Sequence, residues 1–508
     1  MYLQLKKYIP LLIILNAFIS CTSEYEEINT DPKKPLTIDA AYLISTTEQK
    51  LVDVEQNPSV NWGNTRLFAQ YWMQVQYVGE SQYYIDNRDI NGTIWDYYYI
   101  ALNDLKDAKS IVEGEREVIP EQEYTNKMAI IKILESYAWL QLTDFFTDVP
   151  YEEALGNNKV IYPQYDDAQS IYMKTLSVLE EVVNTDLSGT AFTSTDIIYK
   201  GDILKWKNFA GSIMMRMAMR IADVDAANSK KYFDLAASKG FINDLEGEAM
   251  FPYKSTFPNA NPVFEYWDVT GSNRPIEFNM ANTLVDALND LEDPRRPFYI
   301  DDNLQEVQFD SKGDTLKDAD GEVVTKVIYE GILYGGASTT FSKYSHIAPS
   351  YQQDPTQVGK LFSLVETFFI QSEQAARQGN TTQAQMYYNE AITASMKEWG
   401  VEDTDITAYL VQANVDYTTL LASGKTFKEI IGLQKWIANY NSPFNGWREA
   451  IRLGGAPLAP PAEGPSRNII IQRYTYPSSE QQLNPTNRST AASRIGGDKL
   501  ETQMWWQK

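Results

Sequence analysis

The chain has 508 residues, with 44 Lys+Arg against 68 Asp+Glu, a formal charge of −24, one His and one Cys. That charge excludes partners whose affinity comes from neutralising phosphates, so nucleic acid drops out as a ligand class. One cysteine rules out an intrachain disulfide, and one histidine, His346, rules out His-pair metal sites, so no metal or cofactor site is expected. The hydrophobic share of 43% supports a sizeable core, and the surplus lies in aromatics, with 33 Tyr, 20 Phe and 11 Trp. Length alone allows about three domains or one repeat-built body.

Lys6 and Lys7 precede an apolar run at residues 9–19, followed by Ser20 and Cys21. This is the layout of a secretory signal peptide. The run is about half of the ~20 residues that span a bilayer, so it does not anchor the chain by itself. The single cysteine stands directly behind it, after a small residue, where its thiol can carry diacylglycerol at a new N-terminus. Cys21 is therefore the expected lipidation residue and 1–20 the lipoprotein signal peptide; more than one acyl chain gives stable anchoring. Residues 21–37, with Glu24, Glu26, Glu27, Pro32 and Pro35, lack apolar periodicity and read as an acidic tether.

From residue 38 to 508 a single domain is expected. Apolar residues at 3.6-residue spacing dominate, and alternation is confined to stretches such as 323–333, so the class is mostly α. A short signature of small residue, aromatic or large apolar residue, and small residue recurs. It appears as Ala101/Leu105/Ala108, Ala168/Tyr172/Thr175, Ser229/Phe233/Ala236 and Ala384/Tyr388/Ala391. It resembles the second helix of a tetratricopeptide repeat (TPR), in which small residues let two helices approach and the aromatic wedges between them. The first-helix half occurs as Trp206, Phe209, Ala210 and Ile213, and more weakly as Phe368, Ser372 and Ala375. About four TPR-like helix pairs are expected, near 66–112, 125–184, 202–239 and 361–399, spaced more widely than tandem units of roughly 34 residues.

Between the last two pairs, over about 240–360, the helical pattern fails and Pro, Gly, Asn and aromatics accumulate, which predicts inserted loops and small hairpins. Residues 310–322 invite a calcium reading. Counting back from Gly321, however, puts Leu316 at the first ligand position and Val327 where the bidentate Glu belongs. A hairpin with its turn at 319–321 is the better reading.

Several short motifs, in order, carry a family resemblance. They are Glu27-Ile-Asn-Thr-Asp-Pro32, Leu142-Thr-Asp-Phe-Phe-Thr-Asp-Val-Pro-Tyr151, Tyr165-Asp-Asp-Ala-Gln169, Lys205-Trp206 with Arg216 and Arg220, Asp293-Pro-Arg295, Ser363-Leu-Val-Glu366, Gln434-Lys435-Trp436 with Trp447, and Arg473 with Tyr476-Pro477. The chain resembles SusD/RagB-type outer-membrane lipoproteins, of the SusD-like branch. The resemblance implies a cell-surface, lipid-anchored nutrient-binding protein. It would take glycans or oligosaccharides and deliver them to a SusC-like TonB-dependent transporter. Some members of the family take peptides instead.

Sugars present flat CH faces and rings of hydroxyls, which call for exposed aromatics beside Asn, Asp or Arg. Two stretches fit. Residues 79–92 offer Tyr83, Tyr84, Asn87 and Arg88, and residues 259–278 offer Phe264, Tyr266, Trp267 and Arg274, with Tyr334 a weaker addition. Trp95, Trp206 and Trp436 fall on repeat-helix positions and are assigned to packing. No G-x-S-x-G elbow, HExxH or phosphate loop appears, so a binding module rather than an enzyme is expected. Carboxylate-based glycoside hydrolysis stays open, since it needs only two acids.

Overall fold

A computed structural model describes residues 38–59, 64–85, 88–156, 159–268 and 276–508. The leader, Cys21 and the tether lie outside the described residues, as do Asn87 and Arg274. We number the scaffold helices α1 (Ala40–Gln56), α2 (Ile90–Glu115), α3 (Glu121–Phe146), α4 (Ala168–Asn184), α5 (Ile203–Arg220), α6 (Ala226–Lys239), α7 (Leu364–Arg377), α8 (Thr381–Glu398), α9 (Phe427–Ala438) and α10 (Pro443–Leu453). Their starts are written locally. The side chains of Asp39, Asp167, Asp202, Asp225, Ser363 and Asn380 each accept a backbone N–H of the first turn they precede. Thr426 and Glu429 close a reciprocal capping box at α9.

The repeat signature holds in space. Ala101, Leu105 and Ala108 on α2, Ala168, Tyr172 and Thr175 on α4, Ser229, Phe233 and Ala236 on α6, and Ala384, Tyr388 and Ala391 on α8 are all buried. So are Trp206, Phe209, Ala210 and Ile213 on α5. Helices α3/α4, α5/α6 and α7/α8 form the expected pairs.

The first pair differs from the expectation of 66–112. Its leading helix is α1, which packs on α2. Residues 65–85 instead form a short helix (Thr65–Phe68), a strand (Trp72–Gln74) and a single 3-10 turn (Glu80–Gln82). The reason lies in the backbone. Gln70, Tyr77 and Tyr83 all have positive φ, and a non-glycine residue there interrupts a helix.

The region between α6 and α7 is closed at its base by antiparallel strands Ala249–Phe251 and Gly359–Phe362. A second strand pair joins Phe278–Met280 to Trp72–Gln74. A hairpin, Gln305–Val307 with Thr325–Val327, carries two successive tight turns. The Asp310 carboxylate accepts from the N–H groups of Lys312 and Asp314, and Asp318 likewise from Asp320 and Glu322. Gly313 and Gly321 supply the left-handed residue of each turn. The acidic run at 310–322 thus spends two of its carboxylates, Asp310 and Asp318, on turn geometry.

Charged side chains are buried at the centre of the scaffold. Arg220 pairs with Asp144 and with Glu449 at 3.5 Å. Glu449 also meets Lys435 at 2.9 Å and Arg452 at 2.6 Å, and Arg452 reaches Glu373 at 2.6 Å. All six side chains are at most 3% exposed. Burial alone would raise the Glu449 and Glu373 carboxyls, but the surrounding cations, Arg452 foremost, hold both below their usual range. Arg216 forms a bidentate pair with Glu366 at 2.7 Å, and Arg295 one with Asp293.

Glu449→Ala would leave three buried cations short of a partner. We expect a loss of about 3 kcal/mol or more, read as a lower urea midpoint. Glu55, on α1, behaves in the opposite sense. Burial raises its carboxyl to about 7, against the opposing hydrogen bonds of Tyr137 and Gln141 and the charge of Arg216. The folded state therefore keeps a proton that the unfolded chain releases near pH 4.5. This contribution is complete below that pH and is lost as pH rises to about 7, by at most about 1.4 kcal/mol per pH unit. Glu55→Gln should remove this slope, so urea denaturation across pH 5–8 should show the variant gaining on the parent as pH rises.

Candidate ligand-binding cleft

The strand Trp72–Gln74 pairs in register with Phe278–Met280, Trp72 opposite Met280 and Gln74 opposite Phe278. Beyond it, the Val75 N–H donates to the Glu277 carbonyl at 2.8 Å, and the Val75 carbonyl accepts from the Thr339 N–H at 2.9 Å. Three distant stretches are thereby stitched together at one residue. The chain then swings outward through Tyr77, whose φ of 53° turns it toward solvent. Its side chain is 75% exposed.

The return path is held from beneath by a buried acid. Glu80 accepts from Gln74 Nε2 at 2.7 Å through one oxygen and from Arg88 Nε at 2.6 Å through the other. Gln74 Oε1 in turn accepts from the Ser81 N–H and hydroxyl. Tyr83, at φ 66°, ends the 3-10 turn and directs Tyr84 outward, where it is 42% exposed.

The outcome is an open cleft of about 1030 Å³. Its walls are Tyr77, Tyr84, Arg88 and Gln76 on one side and Ser338, Thr339 and Thr340 on the other. Arg88 is oriented by Glu80 yet keeps 40% of its side chain in solvent. The cleft thus combines two aromatic faces, a fixed guanidinium, an amide and several hydroxyls, a set suited to a polyhydroxylated ligand with apolar faces.

Of the residues singled out from sequence, Tyr84 and Arg88 line the cleft. Tyr83, Trp267 and Tyr334 do not offer a face to solvent, which corrects the expectation for them. Tyr83 is 3% exposed and packs edge-on to Phe68 and near Tyr334, and burial raises its phenol to about 12. Trp267, 7% exposed, sits edge-on against Trp72 at 5.4 Å and near Phe278. Its short helix, Pro262–Asp268, also carries half-buried Phe264 and half-buried Tyr266, whose hydroxyl donates to Glu277. Tyr266 and Trp267 thus pack against Phe278 of the paired strand, and none of the three helix aromatics lines the cleft.

The sequence reading reaches neither Tyr77 nor the Ser338–Thr340 wall. Its loop begins at Gly79, two residues after Tyr77, and nothing in the sequence around 338–340 reveals that the Thr339 N–H donates to Val75.

The scaffold of paired helices, with an open aromatic and polar cleft on its loops, is of the TPR-like class. The family profile SusD-like, described as starch-binding associating with outer membrane, matches residues 32–477. The chain belongs to this family. Its fold is shared by a chitin-binding protein (TM-score 0.73, 23% identity, covering 92% of this chain and 99% of the other). It is also shared by a chitin-binding SusD homolog from Flavobacterium johnsoniae (0.72, 20%, 92% and 98%) and a SusD homolog from Bacteroides fragilis (0.71, 21%, 93% and 100%). Among curated proteins none matches the chain.

Because Trp267 is a packing residue, Trp267→Ala should lower stability by about 3 kcal/mol. A thermal or urea denaturation series would show this as a clear drop, and an unchanged midpoint would return Trp267 to the candidate ligand contacts.

Proposed function

We propose that this protein is a surface-exposed, lipid-anchored glycan receptor. It binds neutral oligosaccharides in the cleft bounded by Tyr77, Tyr84 and Arg88, and passes them to a SusC-like TonB-dependent transporter. The observation that carries the reading is the exposure of two tyrosine faces beside an arginine fixed by a buried glutamate. Aromatic faces cover the CH surface of a pyranose, while the guanidinium and the hydroxyls of the opposite wall meet its hydroxyls. Support comes from the family description, starch-binding associating with outer membrane, and from the chitin-binding proteins that share the fold. Chito- and malto-oligosaccharides are therefore the first probes. Asn87 and Arg274 belong to the same proposal as further candidate ligand contacts. Anchoring runs through Cys21, and the tether sets the distance from the membrane. The protein binds without turning over its ligand.

Tyr84→Ala and Arg88→Ala should each weaken oligosaccharide binding by at least about tenfold in calorimetric titration; the melting temperature should change little in Tyr84→Ala but fall in Arg88→Ala, which strips the buried Glu80 of its cation. Unaltered affinity in both would move the site elsewhere. Product analysis after prolonged incubation with the bound glycan should return it intact, and shorter products would replace the receptor reading with a hydrolase. Cys21→Ser should abolish incorporation of labelled palmitate and release the protein from the membrane fraction. Co-purification from that fraction should bring down a barrel transporter.

A further inference from the structure

A second depression lies on the helical scaffold and shares no residue with the cleft. It has a volume of about 250 Å³ and sits between α5/α6 and α7/α8. Gln371 and Gln374 project into it from α7 and Gln378 from the residue that caps that helix, at the i, i+3, i+7 spacing that aligns side chains along one face. Gln383 and Tyr387 enter from α8, one turn apart, Phe233 from α6, and Met215 forms the floor. In a chain of net charge −24, none of its lining side chains is charged.

One wall of this depression is pinned in place. Gly211 on α5 and Gly240 after α6 touch backbone to backbone, so closely that a Cβ on Gly211 would lie 2.0 Å from the Gly240 carbonyl oxygen. Two residues on, the Ile242 N–H donates to Ser212 Oγ at 2.8 Å, and the Ile242 carbonyl accepts from Thr367 Oγ1 at 2.9 Å. Phe241 is held between these anchors and faces the depression. Thr367 stands one turn before Gln371, so the same contact that fixes the aromatic wall also sets the helix bearing the amides. Within the described residues, the side-chain amides of Gln371, Gln374 and Gln378 take no protein hydrogen bond.

We propose that this depression is a second saccharide site, which takes a single neutral pyranose unit. Each glutamine offers both donors and an acceptor, as a sugar hydroxyl does, and Phe233, Phe241 and Tyr387 supply flat apolar walls. The absence of charge excludes anionic sugars and phosphates as favoured ligands. The volume falls below the roughly 300–1,000 Å³ of drug-sized sites, which suits one ring better than an extended chain. The site is independent of the cleft.

Met215 makes the site directly observable. In protein carrying ¹³C-methyl methionine, the Met215 resonance is assigned by Met215→Leu, a nearly volume-conserving change. N-acetylglucosamine, glucose, galactose and, as a peptide control, tetraglycine are titrated into the millimolar range. At least one sugar should shift the Met215 signal saturably. The Gln371→Ala/Gln374→Ala variant should weaken that response by at least about fivefold, and Tyr77→Ala/Tyr84→Ala should leave it intact. Gln378→Ala, at an exposed position, provides a second variant should the double substitution perturb folding.

The proposal is overturned if no sugar moves the signal, if the glutamine variants respond like the parent, or if only tetraglycine acts. It is equally overturned if the response disappears in the tyrosine variant, since the shift would then originate in the cleft. Because the two sites are scored with separate variants, failure of this one leaves the cleft reading standing.

Discussion

The scaffold depends on a charge cluster sealed away from water. Asp144 on α3, Arg220 on α5, Glu373 on α7, Lys435 on α9, and Glu449 and Arg452 on α10 come together in the interior. An unpaired ion there costs several kcal/mol, so each charge must find its counterpart when the helices close. Greasy surfaces can slide past one another with little penalty, whereas this cluster is satisfied only when five helices meet in one arrangement. Further contacts extend it. The Asp144 carboxylate also accepts from the Tyr172 hydroxyl and Trp506 Nε1, and Arg448 donates to the Asp144 carbonyl while stacking 3.5 Å over Trp447. The C-terminal segment is thereby fastened to helices laid down far earlier in the chain.

On this rigid body, the binding loops need little secondary structure of their own. A three-residue strand, one 3-10 turn and the Gln74–Glu80–Arg88 relay suffice to hold Tyr77 and Tyr84 outward. The aromatic group of Trp72, Trp267 and Phe278 supplies the packing beneath them. Rigid support and exposed tips are thus divided between different aromatics of the same neighbourhood.

That division also explains what could be read from the sequence. Helix pairs were legible because small and aromatic residues at fixed offsets leave a periodic trace, and the caps at Asp167, Asp202 and Ser363 are written in adjacent residues. The resemblance motifs were legible for a reason that becomes clear only in three dimensions. Asp144, Arg216, Arg220, Glu366 and Lys435 are members of buried ion pairs, and so mark the fold rather than a site. The cleft was half legible. Tyr84 and Arg88 stood out by composition, but sequence cannot tell an exposed tyrosine from its buried neighbour when Tyr83 and Tyr84 differ by a positive φ. Trp267 reads as a platform because it lies among polar residues, yet the ring nearest to it, Trp72, comes from a strand almost two hundred positions away. The start of the first helix pair was misplaced because three positive-φ residues, invisible to periodicity, break the chain between 65 and 85.

The strands Ala249–Phe251 and Gly359–Phe362 bring the two ends of the long excursion side by side. Chain leaving the scaffold there returns to the same spot, and the entropic cost of closing such a loop grows only slowly with its length. The segment between is in effect a cassette. It is not loose, however: Arg295 donates to Ser395 and Gln434, and the Tyr299 hydroxyl to the Ile437 carbonyl, so its middle is bolted to α8 and α9. Only stretches without such bolts, such as the exposed hairpin between Gln305 and Val327, can change length with little disturbance to the body.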